Sequence, residues 1–315
     1  MLNNEQLLHT IQIEIEPALL GINRGADIPA DWSQRAIYAG PAGASAWINT
    51  VASDRSQPCN SGSHSDLLCA ISSLSPDWFI SLGPGNGARD RILVSPLLTN
   101  NAHMRYVPID LSLGLLFATI STLVGQVHIP AGIVADFESG SSFIPERLCS
   151  RFKSSDHILY ALLGCTLGNL DRGENQFADS LHTTMRSGDW LLIEVATRTN
   201  AWTFELDPRA RHNYDDACRR LFANGISLHT GEAIEDIFRN FEQRVGYDQS
   251  LTDVPGCIAI DIMDRKTSRR ILRTSRYDWK QLLGWLSERG WTVLYEHNVF
   301  EDERCGLGVA LVVKR

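Results

Sequence analysis

The chain has no Cys-x-x-Cys pair, no apolar run of about 18 residues and no excess of basic charge. Each absence removes a class of function. Its seven cysteines, Cys59, Cys69, Cys149, Cys165, Cys218, Cys257 and Cys305, are odd in number and scattered. That usage suits reduced thiols in a cytoplasm, and neither a disulfide framework nor a zinc site. Without a long apolar run there is no candidate membrane span. The polar start, Met1-Leu2-Asn3-Asn4-Glu5-Gln6, has no basic signal region, so a cytoplasmic location is expected. A formal net charge of −8 over 315 residues argues against a nucleic-acid partner. The nine histidines show no metal-ligand spacing, and no metal is expected. Hydrophobic residues at 43% and charged residues at 21% leave an ordinary globular chain able to bury a core.

Against that background one stretch stands out: Ser81-Leu82-Gly83-Pro84-Gly85-Asn86-Gly87-Ala88-Arg89-Asp90. It follows the apolar run Trp78-Phe79-Ile80 and precedes a segment able to start a helix. Glycines at alternate positions let the backbone turn and approach a ligand with no Cβ in the way. A second strand, Tyr106-Val107-Pro108-Ile109, then ends in Asp110. A glycine loop after one strand and an acid after the next is how α/β folds hold an adenosine, the acid taking the ribose hydroxyls. The loop alone also fits a relaxed dinucleotide fingerprint, Gly83-x-Gly85-x-x-Ala88, so a nicotinamide dehydrogenase stays open at this point.

Strands are expected at 78–83, 106–109, 132–135, 158–163 and 189–195, with helices between them. This alternation predicts a doubly wound, mostly parallel sheet. An amphipathic helix over 278–289 stops at Gly290. Strand-like 291–299 and 307–314 follow, parted by the charged turn Glu301-Asp302-Glu303-Arg304. Such an antiparallel C-terminal hairpin belongs to class I methyltransferases rather than dehydrogenases. A helix is expected within 4–20, a small-residue loop at 38–45, and a polar linker at 54–65. A helical region at about 212–247 and a hairpin, 258–262 with 270–273, suggest a separate lobe. The expected organisation is a cofactor domain of 61–199 plus 278–315, and a substrate and lid lobe of 1–60 plus 200–277.

Two further blocks fall at strand ends. Val134-Ala135-Asp136-Phe137 offers a carboxylate for an adenine amine and a ring to stack on it. Leu163-Gly164-Cys165-Thr166-Leu167-Gly168-Asn169-Leu170 ends an apolar strand in a turn where Asn169 presents both a donor and an acceptor.

With Tyr106 to Asp110, with Asn213-Tyr214-Asp215-Asp216-Ala217 and with Thr274-Ser275, these blocks resemble the ergothioneine-pathway histidine Nα-methyltransferases, in that family's order. The resemblance runs over about 38–315. It implies a class I Rossmann-like α/β fold with a second α+β substrate lobe, and S-adenosylmethionine as cofactor. By the same resemblance Gly83, Gly85 and Gly87 with Cys165 would face the cofactor, and Arg89 would hold its methionine carboxylate. Asp110 would bind the ribose, Asp136 and Phe137 the adenine, and Tyr38 would close over them. Asn169 and Tyr214 match the positions that bind the amino-acid part of the substrate, and are the candidate catalytic pair. Aromatic faces such as Tyr38, Trp47 and Tyr214 could stabilise a sulfonium by about 0.5–2 kcal/mol. His212, beside Tyr214, is a candidate base.

The departures concern the acceptor. Where the family has Tyr-Tyr-Pro-Thr this chain has Ser53-Asp54-Arg55-Ser56-Gln57-Pro58-Cys59. Two residues before Ser275, where the histidine enzymes carry an imidazole-binding glutamate, stands Arg273. An acid replaced by a base inverts charge preference where the side chain points inward. The expectation is methyl transfer to a small amino-acid-like acceptor other than histidine, with Arg273, Ser275 and Trp47 on the substrate side. The alternative is a cyclase, in which the cofactor's own amine attacks its Cγ to give azetidine-2-carboxylate and methylthioadenosine. A cofactor-binding sensor is the non-catalytic reading. The oligomeric state is not legible.

Overall fold

Short runs that are apolar on both faces become neighbouring strands covered on both sides. The structure, a computed structural model, describes residues 12–15, 35–52, 63–139, 151–171, 173–203, 216–240, 242–248, 253–300 and 305–315. Its strands are β1 (Gln12–Ile15), β2 (Trp78–Leu82), β3 (Arg105–Asp110), β4 (Ala131–Val134), β5 (Ile158–Leu162) and β6 (Trp190–Arg198). They are followed by β7 (Gln243–Asp248), β8 (Ile258–Asp264), β9 (Arg270–Asp278), β10 (Trp291–Phe300) and β11 (Cys305–Lys314). Every residue of β2, β4 and β5 is buried.

The first six strands run parallel in the order β1-β4-β3-β2-β5-β6. β11 then pairs antiparallel with β6, and β10 with β11. Sidedness follows the period of two along each strand. Trp78, Ile80 and Leu82 of β2 enter one core with Tyr160, Leu282 and Trp285, while Phe79 enters the other with Leu93, Tyr106 and Leu116. The order reverses between β3 and β5, on either side of β2. At such a switch point, beyond the carboxyl ends of the strands, α/β folds bind ligands.

The helices are α1 (Arg35–Tyr38), α2 (Gly40–Ala52), α3 (Ser63–Ile71), α4 (Ala88–Asn100) and α5 (Leu113–Leu123), then α6 (Glu174–Thr184), α7 (Asp216–Thr230), α8 (Ile234–Asn240) and α9 (Trp279–Glu288). Among the described residues no helix is long and apolar enough to cross a membrane. A separate cluster joins Ile37 of α1, Ala46 of α2 and Phe222 of α7 to Ile262 and Ile271 of the β7–β8–β9 sheet. That antiparallel sheet meets the main one where Thr197 and Arg198 pair with Tyr277 and Asp278.

Several expectations need correction. Residues 40–45, expected in a loop, start α2: Gly43 and Ala44 are buried against neighbours, so small side chains here mark close packing and not a turn. Within 4–20, residues 12–15 form β1, which pairs with β4 at the edge of the main sheet; the helical spacing was outweighed by strand pairing. Within 54–65, Ser63 onward is helical and 53–62 lie outside the described residues. The helical region at 212–247 ends earlier, because Gln243–Asp248 pair with β8 and turn the expected hairpin into three strands. The turn 301–304 lies outside the described residues.

Candidate active site

Four strand ends converge on one cleft. Gly83 and Gly85 follow β2, Asp110 ends β3, Asp136 and Phe137 follow β4, and Gly164, Thr166 and Asn169 follow β5. Arg35, Tyr38 and Trp47 from α1 and α2 form its far wall.

The glycine loop needs its glycines for two different reasons. Gly83, Gly85 and Gly87 all have positive φ, at 69°, 63° and 74°, a region costly for residues with a Cβ. Beyond that, a Cβ on Gly85 would lie 2.3 Å from Cη2 of Trp47, and one on Gly87 would lie 3.1 Å from Cα of Thr119. The Trp47 ring therefore lies directly on the loop. From below, Thr119 Oγ1 donates to the Gly85 carbonyl at 2.8 Å and Thr122 Oγ1 to that of Asn86 at 2.9 Å. Gly87 thus serves the packing of the loop on α5 and does not line the cleft.

Asp110 is anchored by its own loop. Ser112 N–H donates to Oδ1 at 2.8 Å and Gly85 N–H to Oδ2 at 3.3 Å. Burial pushes its pKa up to about 7, against the pull of those two N–H groups. Asp136 Oδ1 accepts from the Glu138 N–H at 3.1 Å. Phe137 lies 3.5 Å from where a Gly83 Cβ would stand, and its ring is propped edge-on by Phe177 at 5.9 Å between centroids. Two acids, a ring and a backbone without side chains make a cradle that fits an adenosine.

Arg35 also lines the cleft, outside every sequence motif described above. Its guanidinium pairs with Asp136 through Nη1 and reaches Asp171 through Nε at 3.5 Å. No local signal marks it, since it is four residues of helix set opposite a strand end a hundred positions away. What holds it there is Asn224 of α7, whose Nδ2 lies 3.1 Å from each of the carbonyls of Ala36, Ile37 and Ala39. Replacing Asn224 with alanine is expected to destabilise the protein by about 1–3 kcal/mol through those orphaned carbonyls. Chemical denaturation measures it, and an unchanged midpoint would show that α1 stands without this anchor.

Tyr38 carries its phenol above the usual range, because of burial first and then the nearby charges of Asp110, Asp171 and Glu138. At neutral pH it is a hydrogen-bond donor and an aromatic face, never a base.

The remaining expected residues do not all line the cleft. Arg89 pairs through Nε with Oε2 of Glu194 at 3.5 Å. Cys165 adopts φ 65°, turning the chain between Gly164 and Thr166. Ser275 is buried behind Gly168, whose Cβ position lies 3.2 Å from the Ser275 backbone, and its hydroxyl donates to Glu174 at 3.4 Å. Glu174 also accepts from Tyr277 at 2.8 Å. Arg273 donates through Nε and Nη2 to the two oxygens of Asp261, its cross-strand partner, both at 2.7 Å. The Arg273 guanidinium is therefore neutralised by an acid from β8. Tyr214 and His212 lie outside the described residues.

Residues 64–207 match the family model described as histidine-specific methyltransferase, SAM-dependent. A histidine N-alpha-methyltransferase of Mycobacterium tuberculosis (strain CDC 1551 / Oshkosh) is 32% identical over 121 residues, 37% of this chain and 35% of the relative. The match thus spans about a third of that protein's length. Among solved structures, a DUF574 family protein from Streptomyces avermitilis superposes with a TM-score of 0.50 at 13% identity, covering 90% of this chain and 98% of that one. A SAM-dependent methyltransferase from Methanosarcina mazei gives 0.46 at 15% identity, over 78% and 96%. The fold is that of a class I methyltransferase, a mostly parallel sheet closed by an antiparallel C-terminal hairpin. Over 64–207 the chain is similar to the histidine-specific, S-adenosylmethionine-dependent methyltransferases.

Proposed function

We propose that the protein is an S-adenosylmethionine-dependent methyltransferase acting on a small amino-acid-like acceptor other than histidine. The observation that carries the cofactor half is the convergence of Gly83, Gly85, Asp110, Asp136 and Phe137 on one cleft at the sheet's switch point. It agrees with the family match, and the nicotinamide reading of the glycine loop has no comparable support. When bound, the cofactor supplies a methyl group on a cationic sulfur, for in-line transfer to an unprotonated acceptor.

Each residue has a physical task. Asp110 accepts the ribose hydroxyls, and Asp136 accepts the adenine amine on the oxygens it already shares with Glu138 and Arg35. Phe137 covers the adenine face. Tyr38 and Trp47 give the far wall aromatic surface beside the sulfonium and exclude water from it. Asn169, with a donor and an acceptor on one amide, orients the acceptor's amino-acid part. Chemistry of this kind depends more on alignment than on a strong acid or base. Tyr38 is unsuited to be the base in any case.

The acceptor is set apart from histidine by what the resemblance lacks. Arg273 stands where the histidine enzymes carry an imidazole-binding acid, and it is held by Asp261 away from the cleft lining, so an imidazole finds no carboxylate partner from that position.

The test is incubation of the purified protein with S-adenosylmethionine, alone and then with amino acids and related carboxylates, read by mass spectrometry. S-adenosylhomocysteine formed only with an acceptor, and not with histidine, is the expected result. Turnover of histidine would overturn the acceptor assignment. Methylthioadenosine accumulating with equimolar azetidine-2-carboxylate in the absence of any acceptor would replace transfer with cyclisation.

A further inference from the structure

Beneath the cleft lies a carboxylate that the reading above does not use. Glu194 sits in the middle of β6 with no exposed surface. Its position is defined from three sides. Oε2 accepts the Gly164 N–H at 2.8 Å and pairs with Arg89 Nε at 3.5 Å, while its backbone carbonyl accepts the Cys165 N–H at 3.2 Å. Glu194 therefore ties the first turn of α4, just after the glycine loop, to the turn that carries Asn169. Oε1 is different. It is buried and has no hydrogen-bond partner among the described residues.

A buried carboxylate oxygen left unpaired is costly, and proteins keep such groups where a ligand completes them. The candidate partner is set by the neighbours. Glu194 is joined to Arg89 on one side and to Gly164, a cleft residue, on the other. An arginine and a glutamate side by side carry the two charges complementary to an α-amino acid, whose carboxylate and ammonium are also side by side.

We propose that Glu194 is a cofactor-binding residue that accepts the α-ammonium of the methionine end of S-adenosylmethionine on Oε1, while Arg89 takes the adjacent carboxylate. The assignment rests on the cofactor reading given above and extends it to the end of the ligand distant from the adenosine acids. It has a chemical consequence. An anion beside the cofactor's amine holds that amine as an ammonium, which has no lone pair to attack its own Cγ. Glu194 therefore favours transfer to a separate acceptor over cyclisation.

The test is a binding comparison that needs no turnover. Titration calorimetry would measure S-adenosylhomocysteine, its analogue lacking the α-amino group, and methylthioadenosine, which lacks the whole amino-acid end. Each is titrated against the unaltered protein and Glu194→Gln. Glutamine keeps an acceptor for the Gly164 N–H. The expected result is a loss of about ten- to hundredfold for S-adenosylhomocysteine, the worth of one charged hydrogen bond, with the deamino analogue and methylthioadenosine changed less than about twofold. Equal losses for all three ligands would make Glu194 a prop of the fold and overturn the assignment. So would an unchanged affinity for S-adenosylhomocysteine. Thermal unfolding of the variant identifies a general loss of structure, and Glu194→Asp, which keeps the charge, should recover part of the lost selectivity for the ammonium. Failure of the unaltered protein to bind any of the three would instead overturn the cofactor reading itself.

Discussion

Replacing Gly85 with alanine is expected to abolish measurable cofactor binding and to cost about 2–5 kcal/mol of stability. Two penalties add. A residue with a Cβ at φ 63° pays about 1–2 kcal/mol for the left-handed backbone. The new methyl would also lie 2.3 Å from Cη2 of Trp47, and overpacking of that kind costs about 1–3 kcal/mol. Either Trp47 is expelled from the cleft wall or the loop moves off β2, and both destroy the adenosine cradle. Gly164→Ala is the control. Gly164 has φ 66°, yet nothing lies within 4 Å of its Cβ position, so only the backbone penalty applies. Denaturant titration of the two variants should therefore separate them by the cost of the collision. The double variant Gly85→Ala, Trp47→Ala should recover part of the difference, because contacting sites couple. Equal destabilisation of Gly85→Ala and Gly164→Ala would mean that Trp47 does not sit on the loop.

That contrast also shows where the sequence is readable and where it is not. Gly83, Gly85, Asp110, Asp136, Phe137 and Asn169 were legible because each stands just after an apolar strand, and parallel strands bring their carboxyl ends to one edge. Local pattern and global position coincide there. Arg35 and Glu194 were not legible, for opposite reasons. Arg35 sits in a four-residue helix whose place depends on Asn224 far along the chain. Glu194 interrupts the buried apolar run Leu191 to Ala196 of β6, which reads as core, and its partners Arg89 and Gly164 come from different turns. The small residues of 40–45 failed in another way. Glycine and alanine permit both turns and close helix packing, and only the presence of Asn224 and Ile37 within 3 Å of the Gly43 Cβ position decides between them. Arg273 shows the limit of charge read along a chain. The base at 273 is visible in the sequence, but the acid that cancels it is Asp261, brought opposite by the register of β8 and β9.

The second large effect concerns Asp110 and pH. Burial raises its pKa to about 7 in the protein without cofactor, from an ordinary value of 3.8. Between those limits the folded protein holds a proton that the unfolded chain has released, so this group's contribution to stability falls as pH rises from about 4 to about 7 and is level above. Binding has the opposite sign. On the proposed cofactor reading, the ribose hydroxyls would donate to Asp110 and so favour its ionised form, and below about pH 7 the cofactor would first have to displace the proton. Affinity for S-adenosylhomocysteine is therefore expected to rise toward tenfold per pH unit up to about pH 7 and to flatten above it. Asp110→Asn should abolish this slope and weaken binding at pH 8 by about ten- to hundredfold, since the amide replaces one charged acceptor with a donor. Asp90 complicates the profile, because burial also raises its pKa to about 7. It lies beneath the loop and accepts from Ser81 at 2.8 Å and Tyr106 at 3.0 Å, without lining the cleft. Asp90→Asn should accordingly alter the pH dependence of stability while leaving the binding slope in place. Calorimetric titrations of the three proteins from pH 5.5 to 8.5 distinguish the two acids. A binding slope that survives in Asp110→Asn would remove Asp110 from the ribose and leave the glycine loop without its acid.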